Sequence, residues 1–386
     1  MASESAHLAL FVFRRVGLRN DPSTHLNWLG WNVLVVQGGA VVNANAMRAN
    51  AEEIGSPAQG YDTNGLPSLR ARLLTPLVRM VVRRWNKGDP PAVVRRARRV
   101  FGSGGFLDFL HTRGLKIEAV DTESIRGEWI CSGREPNPDH VLLYLHGGGY
   151  VSCSPRTHRP ITTALVRLAR CRVFSLDYRL APEHPFPAAV DDAEAAFRWL
   201  VESGIPAANI AVAGDSGGGG LALAMMLRLR SQGHALPACA ICLSPWTDLT
   251  GGKSYRNAES CAMFKPPDII SFASMYLNGV SAETPEASPL FADLTGLPPL
   301  LIHASSTELL LDDAIRIHEK AERQGIHSRL RIFPGVPHVW HIYVGTIPEA
   351  KIALTEISHF LNAAWAASLP QLGSGNRVMA PAYNVQ

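Results

Sequence analysis

The sequence has few of the features that mark a metalloprotein or a disulfide-stabilised domain. Its 386 residues include only six cysteines, which do not form the two ligand pairs of a typical zinc site. Cys171, Cys239 and Cys242 lie in or beside apolar runs, where a thiol behaves as a small buried hydrophobe in a reducing compartment. We therefore expect no metal, no disulfide framework and a cytoplasmic location.

Long hydrophobic runs are also missing. The best window, LNWLGWNVLVVQGGAVV from Leu26, is interrupted by Asn27, Asn32 and Gln37, whereas a membrane-spanning helix needs about 20 mostly apolar residues. Arginines precede this window and small residues follow it, so it faintly resembles a signal peptide. We expect no stable membrane insertion, with export as the alternative.

Neither sign of charge dominates the whole chain. The 37 basic and 33 acidic residues leave a net charge of +4, too little to indicate nucleic acid, whose binding requires concentrated cationic contacts. One exception is the cationic segment, residues 70–99, with ten Lys or Arg and a single acid, Asp89. We interpret it as a solvated helix face whose apolar side is packed, with contact to an anionic membrane or another polyanion as the alternative.

From residue 115 onward, apolar runs of strand length alternate with segments of helical period. This pattern predicts a mostly parallel sheet covered on both faces. Predicted strands occupy residues 115–120, 125–131, 141–145, 172–176, 210–213, 238–243, 299–304 and 329–333. Predicted helices occupy residues 161–169, 188–202, 218–232, 312–324 and 349–366. The first two strands are joined by four polar residues, so we expect them to pair antiparallel.

The stretch GDSGGGG, residues 214–220, sets one hydroxyl among glycines where a predicted strand turns directly into a predicted helix. It fits GxSxG, the pattern of a serine exposed on a strained strand-to-helix turn. Ser216 would lie at a helix N-terminus, where free N–H groups favour a developing negative charge. A phosphate cradle is the alternative, but no GxxxxGK[ST] lysine follows and the glycines do not fall as GxGxxG. We therefore expect no cofactor.

A second glycine-rich stretch, HGGGY at residues 146–150, directly follows another predicted strand. Its three glycines allow backbone N–H groups to approach a ligand, and such donors stabilise a carbonyl oxygen that becomes negative. Alone, the stretch is compatible with a plain loop. Together with GxSxG it indicates nucleophilic acyl chemistry.

These stretches resemble the hormone-sensitive-lipase branch of the α/β-hydrolases, the bacterial family IV esterases. Further matching stretches are DYRLAPEHPFPAAVDD at 177–192, SPWTDLT at 244–250, ASPLFADLTGLPPLLI at 287–302 and VPH at 336–338. The resemblance spans roughly residues 84–365 and implies an α/β-hydrolase fold, with a central, mostly parallel eight-stranded sheet and an N-terminal helical cap. We expect an extension and cap over 1–105, the catalytic domain over 106–369 and a flexible tail over 370–386.

The family orders its triad as serine, acid and histidine, so the last two are sought after Ser216. His338 follows the last predicted strand on a Gly/Pro-rich loop and is the expected base, with His341 as the nearest alternative. The expected acid is Glu308, in SSTELLLDD, where the family commonly shows DPL. Asp312 is the alternative, although it also suits the first turn of the following helix.

The resemblance also implies the groups around the nucleophile. The implied oxyanion donors are the N–H groups of Gly148, Gly149 and Gly217. Glycine here replaces the alanine that the family commonly places after the nucleophile. The expected pocket residues are Tyr150, Asp215 and Trp246. We interpret Arg179 and Glu183 as a structural pair that holds the loops beside the nucleophile.

The predicted reaction is hydrolysis of short- to medium-chain carboxylic esters through an acyl-enzyme intermediate. One alternative is a deacetylase, amidase or lactonase of the same mechanism that acts on a larger natural product. Another is a non-catalytic small-molecule binding protein. The expected partner is a small ester, with no nucleic acid and with a homodimer as an open possibility.

Overall fold

The computed structural model describes residues 34–37, 40–43, 65–85, 90–102, 111–132, 139–251 and 257–368. Its contacts divide the chain into two units, residues 1–60 and 61–386. In the first unit, β1 (Leu34–Gln37) pairs antiparallel with β2 (Ala40–Asn43). The sequence signal for this ladder is two short β-branched runs around a Gly-Gly pair, which we did not predict as strands. The predicted tail, 370–386, lies outside the described residues.

An eight-stranded sheet forms the centre of the second unit. Its strands are β3 (Leu115–Asp121), β4 (Arg126–Ser132), β5 (Val141–Leu145), β6 (Arg172–Leu176), β7 (Ile210–Asp215), β8 (Ala240–Leu243), β9 (Leu300–Ser305) and β10 (Ser328–Phe333). They lie in the order β10-β9-β8-β7-β5-β6-β4-β3. Strand β4 pairs antiparallel with β3 and β6, and the remaining pairs are parallel. The predicted mostly parallel sheet with an antiparallel beginning is confirmed.

Helices pack on both faces of this sheet and form the predicted α/β arrangement. The described helices of this unit are α1 (Leu69–Trp85), α2 (Pro90–Gly102), α3 (Arg159–Ala169), α4 (Ala188–Glu202), α5 (Gly217–Ser231), α6 (Pro266–Leu277), α7 (Leu311–Arg323) and α8 (Pro348–Ser368). Helix α6 was not predicted, since it begins with two prolines, which read as loop residues although they fit a first helical turn. Among the described helices, none has both the length and the apolar character needed to cross a bilayer.

Side chains of the central strands alternate between two cores. In β5, Val141, Leu143 and Leu145 belong to the core that includes α4, α5 and α7, whereas Leu142 and Tyr144 belong to the core that includes α3 and α8. Because both faces are covered, such a strand has a continuous apolar sequence rather than an alternating one. This is the reason that short apolar runs predict the parallel strands well.

The two helices of the predicted cap, α1 and α2, belong to the same unit as the sheet. Ala71 of α1 packs in a small cluster with Phe333 and Trp340. Arg98 of α2 donates hydrogen bonds to the carbonyl oxygens of Val151 and Ala181, each at 2.8 Å. Both helices are thereby attached to segments that follow sheet strands. The domain boundary near residue 105 stays a prediction.

The interpretation of Arg179 and Glu183 as a pair is wrong. Arg98 Nη1 lies 2.8 Å from Glu183 Oε1, and this hydrogen bond lowers the pKa of Glu183 to about 2. Arg179 instead binds Asp192 on α4, with Nη2 and Oδ1 2.7 Å apart. Glu183 therefore binds the cap and Arg179 binds α4, so two ion pairs attach different elements to the same loop.

A largely buried ion pair links β4 to α3 and generates a stability prediction. Arg159 donates from Nε and Nη2 to the two Glu128 oxygens, at 3.0 and 2.6 Å, and these side chains are only 17% and 9% exposed. We expect Glu128→Ala to lower the free energy of unfolding by about 3 kcal/mol, because the guanidinium stays buried without this carboxylate. Chemical denaturation measures the change.

The matched control is Glu202→Ala, which removes an exposed ion pair with Arg198. We expect it to change the free energy of unfolding by less than about 0.5 kcal/mol. Equal losses in the two variants would contradict a special contribution from the buried pair.

Candidate active site

Ser216 lies at the turn between β7 and α5, in a strained backbone conformation. Its φ and ψ angles are 53° and −122°, a region that costs about 1–3 kcal/mol for a residue with a side chain. Its N–H donates to the Leu243 carbonyl at 2.8 Å, and its own carbonyl accepts from the N–H groups of Trp246 and Gly219 at 2.9 and 3.0 Å. The surrounding backbone therefore holds the strained turn in place.

Close backbone approach explains the glycines on either side of this serine. A Cβ atom at Gly214 would overlap the Gly218 carbonyl, and one at Gly218 would overlap the Leu145 carbonyl. A Cβ atom at Gly217 would meet Tyr150, with the ring at 3.3 Å and the backbone nitrogen at 3.4 Å. The turn thus requires glycine at 214 and 218, whereas position 217 has space for a methyl group if Tyr150 yields slightly.

His338 and Glu308 are in direct contact, although 30 residues separate them. His338 Nδ1 lies 2.6 Å from Glu308 Oε2, and Glu308 Oε1 accepts the N–H of Ser305 at 2.7 Å. Both side chains are buried. With Nδ1 donating to the carboxylate, His338 Nε2 is the free acceptor, and it has no hydrogen-bond partner among the described residues. Glu308 follows β9 and His338 follows β10, so both stand at the carboxyl edge of the sheet.

One cavity of about 140 Å³ brings the predicted nucleophile and base together. Ser216, His338 and Gly148 all line it, and Glu308 stands behind the imidazole. Most of the remaining wall is apolar, with contributions from Val82, Val93, Val94, Ala97, Val151, Met263, Phe264, Phe272, Val339 and Ile342. The Phe264 ring meets the His338 ring edge to face, with centroids 5.4 Å apart.

The HGGGY stretch turns sharply beside Ser216. Gly148 and Gly149 have φ angles of +111° and +62°, which glycine adopts without strain. In the described part of the chain, the N–H groups of Gly148, Gly149 and Gly217 have no protein acceptor.

His146, the first residue of the stretch, is fully buried, and its Nδ1 donates to the Gly147 carbonyl at 2.7 Å. Burial and then the charge of His158 lower the pKa of His146 to about 3, so this imidazole is neutral.

Asp215 fixes the glycine loop to the nucleophile turn. Its Oδ1 accepts from the Tyr144 hydroxyl at 2.7 Å and from the Gly147 N–H at 3.0 Å, and its Oδ2 lies 3.1 Å from His158 Nε2. Burial raises the pKa of Asp215, but the charge of His158 and the hydrogen bonds outweigh it, so the pKa is lowered. Asp215 borders the cavity as expected, although its carboxylate is occupied by protein groups.

His158 was not predicted, yet it also borders the cavity. It ends a short 3-10 helix, Pro155–His158, and both it and Asp215 are almost fully buried. Burial lowers its pKa, but the Asp215 charge and the hydrogen bonds to Asp215 and to the Ser154 backbone together outweigh burial, so the pKa lies above its ordinary value. No sequence spacing links a loop histidine to an aspartate 57 residues later, so sequence reasoning had no signal for the pair.

Two of the three expected pocket residues do not line the cavity, so the prediction is wrong for them. Tyr150 and Trp246 are buried in the main core and are not among the residues that line the cavity. The Tyr150 ring stacks on Tyr276 with centroids 3.8 Å apart, and Trp246 Nε1 donates to the Asp248 carbonyl at 3.1 Å. Gly217 leaves room for the Tyr150 ring, and Gly220 leaves room for the Tyr150 hydroxyl and the Trp246 carbonyl.

The alternative base and acid take part in other contacts. His341 is fully buried and its Nε2 lies 3.2 Å from His303 Nδ1. Burial, followed by the charges of His303 and His338, lowers the pKa of His341 well below its ordinary value. Asp312 lies in the first turn of α7, as its sequence position indicated. Among the described residues, no cluster of His, Cys, Asp or Glu is suited to hold a metal ion.

Comparisons with known proteins agree with this geometry. A family profile described as alpha/beta hydrolase fold matches residues 142–342. An acetyl-hydrolase from Streptomyces hygroscopicus is 42% identical over 254 residues, 65% of this chain and 84% of that protein. An esterase from Acinetobacter venetianus is 35% identical over 249 residues, 64% of this chain and 82% of that protein. A crystal structure of an esterase from the bacterial hormone-sensitive lipase family has a TM-score of 0.72 and 38% identity, covering 78% of this chain and all of that one.

The glycine geometry generates a prediction about the turn. We expect Gly218→Ala to lower the free energy of unfolding by about 2 kcal/mol or more, because its methyl group overlaps the Leu145 carbonyl. Gly217→Ala is the matched control and should change it by less than about 1 kcal/mol, since the helix gains propensity while Tyr150 yields. Thermal unfolding of both variants measures the difference, and a larger loss at 217 than at 218 would contradict the assignment.

The pair of Asp215 and His158 generates a pH prediction. Because the pKa of His158 is raised in the folded protein, its protonation stabilises the fold at pH values below the ordinary pKa of 6.5. This stabilisation is lost as the pH rises through the raised pKa. Because the pKa of Asp215 is lowered in the folded protein, its ionisation stabilises the fold at pH values above the ordinary pKa of 3.8. This stabilisation is lost as the pH falls through the lowered pKa. The stability difference between wild type and His158→Gln should therefore be greatest between pH 3.8 and 6.5.

Denaturation of both proteins across this pH range measures the difference. His318→Gln is the control, because burial lowers the pKa of His318. The contribution of His318 to stability must therefore depend on pH in the opposite direction to that of His158. A His158→Gln difference that grows above pH 6.5 would show that the imidazole is not charged in the folded protein.

Proposed function

This chain belongs to the α/β-hydrolase fold family, in its hormone-sensitive-lipase branch, and from that premise we propose that it is a serine carboxylesterase. Its proposed substrates are short- to medium-chain carboxylic esters, and the reaction passes through an acyl-enzyme. One observation carries the proposal: His338 is bound at Nδ1 by Glu308 and lines, with Ser216, one cavity. Hydrolysis by such a triad needs no metal or cofactor.

In the proposed acylation step, His338 Nε2 takes the proton of Ser216 Oγ as that oxygen attacks the ester carbonyl. Glu308 accepts a hydrogen bond from Nδ1, so it fixes the tautomer with Nε2 free and stabilises the imidazolium that forms. The second Glu308 oxygen is held by the Ser305 N–H. The carboxylate therefore has a fixed orientation before the proton moves.

The proposed oxyanion donors are the N–H groups of Gly148, Gly149 and Gly217. Their support is position: two lie on the loop that Asp215 fixes through Gly147, and the third is the first residue of α5. Donors held rigidly in a water-poor site stabilise a developing oxyanion by about 2.7–4 kcal/mol each. His338 then returns its proton to the leaving alcohol, and water repeats the sequence to release the acid.

The shape of the cavity favours small acyl groups. Its volume of about 140 Å³ is below the roughly 300–1,000 Å³ of pockets that enclose drug-sized ligands. Its walls are largely aliphatic and aromatic, which suits a short hydrocarbon chain. The relative named an acetyl-hydrolase supports a second candidate, removal of an acetyl group from a larger alcohol.

The free state of all six cysteines supports the proposed cytoplasmic location.

Mutation of the proposed triad tests the reaction with p-nitrophenyl butyrate. We expect Ser216→Ala and Glu308→Gln each to lower kcat/KM by more than about 10³-fold, because the nucleophile or the correct histidine tautomer is lost. Asp312→Asn is the matched control and should stay within about threefold of wild type. A greater loss in Asp312→Asn than in Glu308→Gln would reassign the acid, and unchanged turnover by Ser216→Ala would end the proposal.

A substrate series separates the two candidate functions. Acetate, butyrate and decanoate esters of p-nitrophenol are compared with acetate esters of bulky alcohols. High kcat/KM for the short simple esters supports the carboxylesterase. Activity confined to the bulky acetates would favour the deacetylase.

A further inference from the structure

Helix α1 carries large apolar side chains on its outer face. This stripe consists of Leu69, Leu73, Leu77 and Met80, which are 73%, 76%, 52% and 65% exposed. Their spacing of three and four residues places them on one side of the helix. A contiguous exposed apolar surface on a folded protein marks a binding surface more often than chance exposure does.

The opposite side of the same helix is packed against the protein. Ala71 and Val78 are buried, and at 100° per residue they lie across the helix from the stripe. The interpretation of the cationic segment as a solvated face with a packed apolar side is therefore only partly correct. One apolar face is packed, and a second one is exposed to solvent.

Cations flank the stripe on both sides. At the same angular spacing, Arg70 lies along one edge and Arg72 along the other. Arg79 and Arg83 follow Arg72 along that edge, but their guanidinium groups donate hydrogen bonds to the backbone carbonyls of Glu259, Ala258 and Cys261. The neighbouring helix α2 contributes two exposed arginines, Arg95 and Arg99. Neither α1 nor α2 contains an acidic residue, so nothing within these helices neutralises the cations.

The helices that carry this surface also cover the active site. Val82 of α1 and Val93, Val94 and Ala97 of α2 line the cavity that contains Ser216. Arg98 links α2 to the carbonyl of Val151, another residue of the cavity wall. The outer face of the cap is therefore one helix diameter away from the site where the proposed substrate would bind.

We propose that the stripe and its flanking arginines dock the enzyme on the surface of an anionic lipid bilayer. The leucines and the methionine enter the boundary between headgroups and acyl chains while the arginines bind lipid phosphates, as in interfacial amphipathic helices. Cytoplasmic leaflets carry the negative potential that this arrangement needs. The docking is peripheral and is independent of the esterase chemistry.

Charge and hydrophobicity together select this partner. A soluble polyanion would use the arginines but gain nothing from exposed leucines, because its binding rests on cationic contacts. A second copy of the chain would place two like-charged arginine rows against each other, which is unfavourable. A surface that is both anionic and apolar below its headgroups satisfies both features.

Vesicle co-sedimentation of the full chain tests the proposal. We expect binding to vesicles of phosphatidylcholine mixed with phosphatidylglycerol, and at least about tenfold weaker binding to phosphatidylcholine alone or at high salt. Leu69→Gln/Leu73→Gln/Leu77→Gln should lower binding to the anionic vesicles by at least about tenfold, because Gln preserves helix propensity but not apolar area. Arg72→Gln/Arg95→Gln/Arg99→Gln should remove the preference for anionic vesicles.

The matched control replaces equally large exposed residues elsewhere, Val280→Gln/Phe291→Gln/Ile352→Gln, and should bind like wild type. Turnover of a soluble p-nitrophenyl ester by each variant verifies folding. Absence of wild-type binding, or equal binding to neutral and anionic vesicles, would overturn the proposal. So would heparin binding without vesicle binding, or a dimer that the leucine substitutions dissociate.

Discussion

A buried carboxylate, Asp215, joins the elements on which the candidate active site depends. It ends β7, next to the nucleophile, and binds the Tyr144 hydroxyl of β5, the Gly147 N–H of the glycine loop and the imidazole of His158. An unpaired carboxylate in this position would cost several kcal/mol. The pairing of Asp215 and His158 is therefore a condition for the loop and the serine turn to keep their relative position.

The elements of the candidate site are held in two different ways. The serine turn is held by backbone hydrogen bonds to Leu243 and Trp246, and the glycine loop is held by Asp215. The imidazole is held by Glu308. Each of these groups stands at the carboxyl end of a parallel strand, so the sheet itself sets the distances between them. Part of the apolar cavity wall comes instead from the cap helices and from Phe272 of α6, which the sheet does not position directly.

The sequence predicts the parts of the molecule that short-range patterns determine. Strands buried on both faces, such as β5 and β7, appear as uninterrupted apolar runs, and the turn at Ser216 appears as closely spaced glycines. The contact of Glu308 with His338 was expected from the family resemblance, which orders the triad as serine, acid and histidine, and not from a local pattern. By contrast, the pairs of Arg98 with Glu183 and of Arg179 with Asp192 join elements whose approach depends on the complete fold. Tyr150 directly follows the glycine loop and Trp246 lies in a stretch that resembles the family, but both side chains pack in the main core.

The cap combines features that local patterns describe poorly. Its helices contain many arginines, and arginine is compatible with a solvated face, an ion pair or a bound phosphate. Arg98 forms an ion pair with Glu183 and also binds two backbone carbonyls of the loops beside the nucleophile, whereas Arg95 and Arg99 on the same helix are exposed. Their roles differ because a helix turns 100° per residue, so adjacent arginines face different surroundings. One side of α2 therefore fixes the cavity wall while another side faces the solvent.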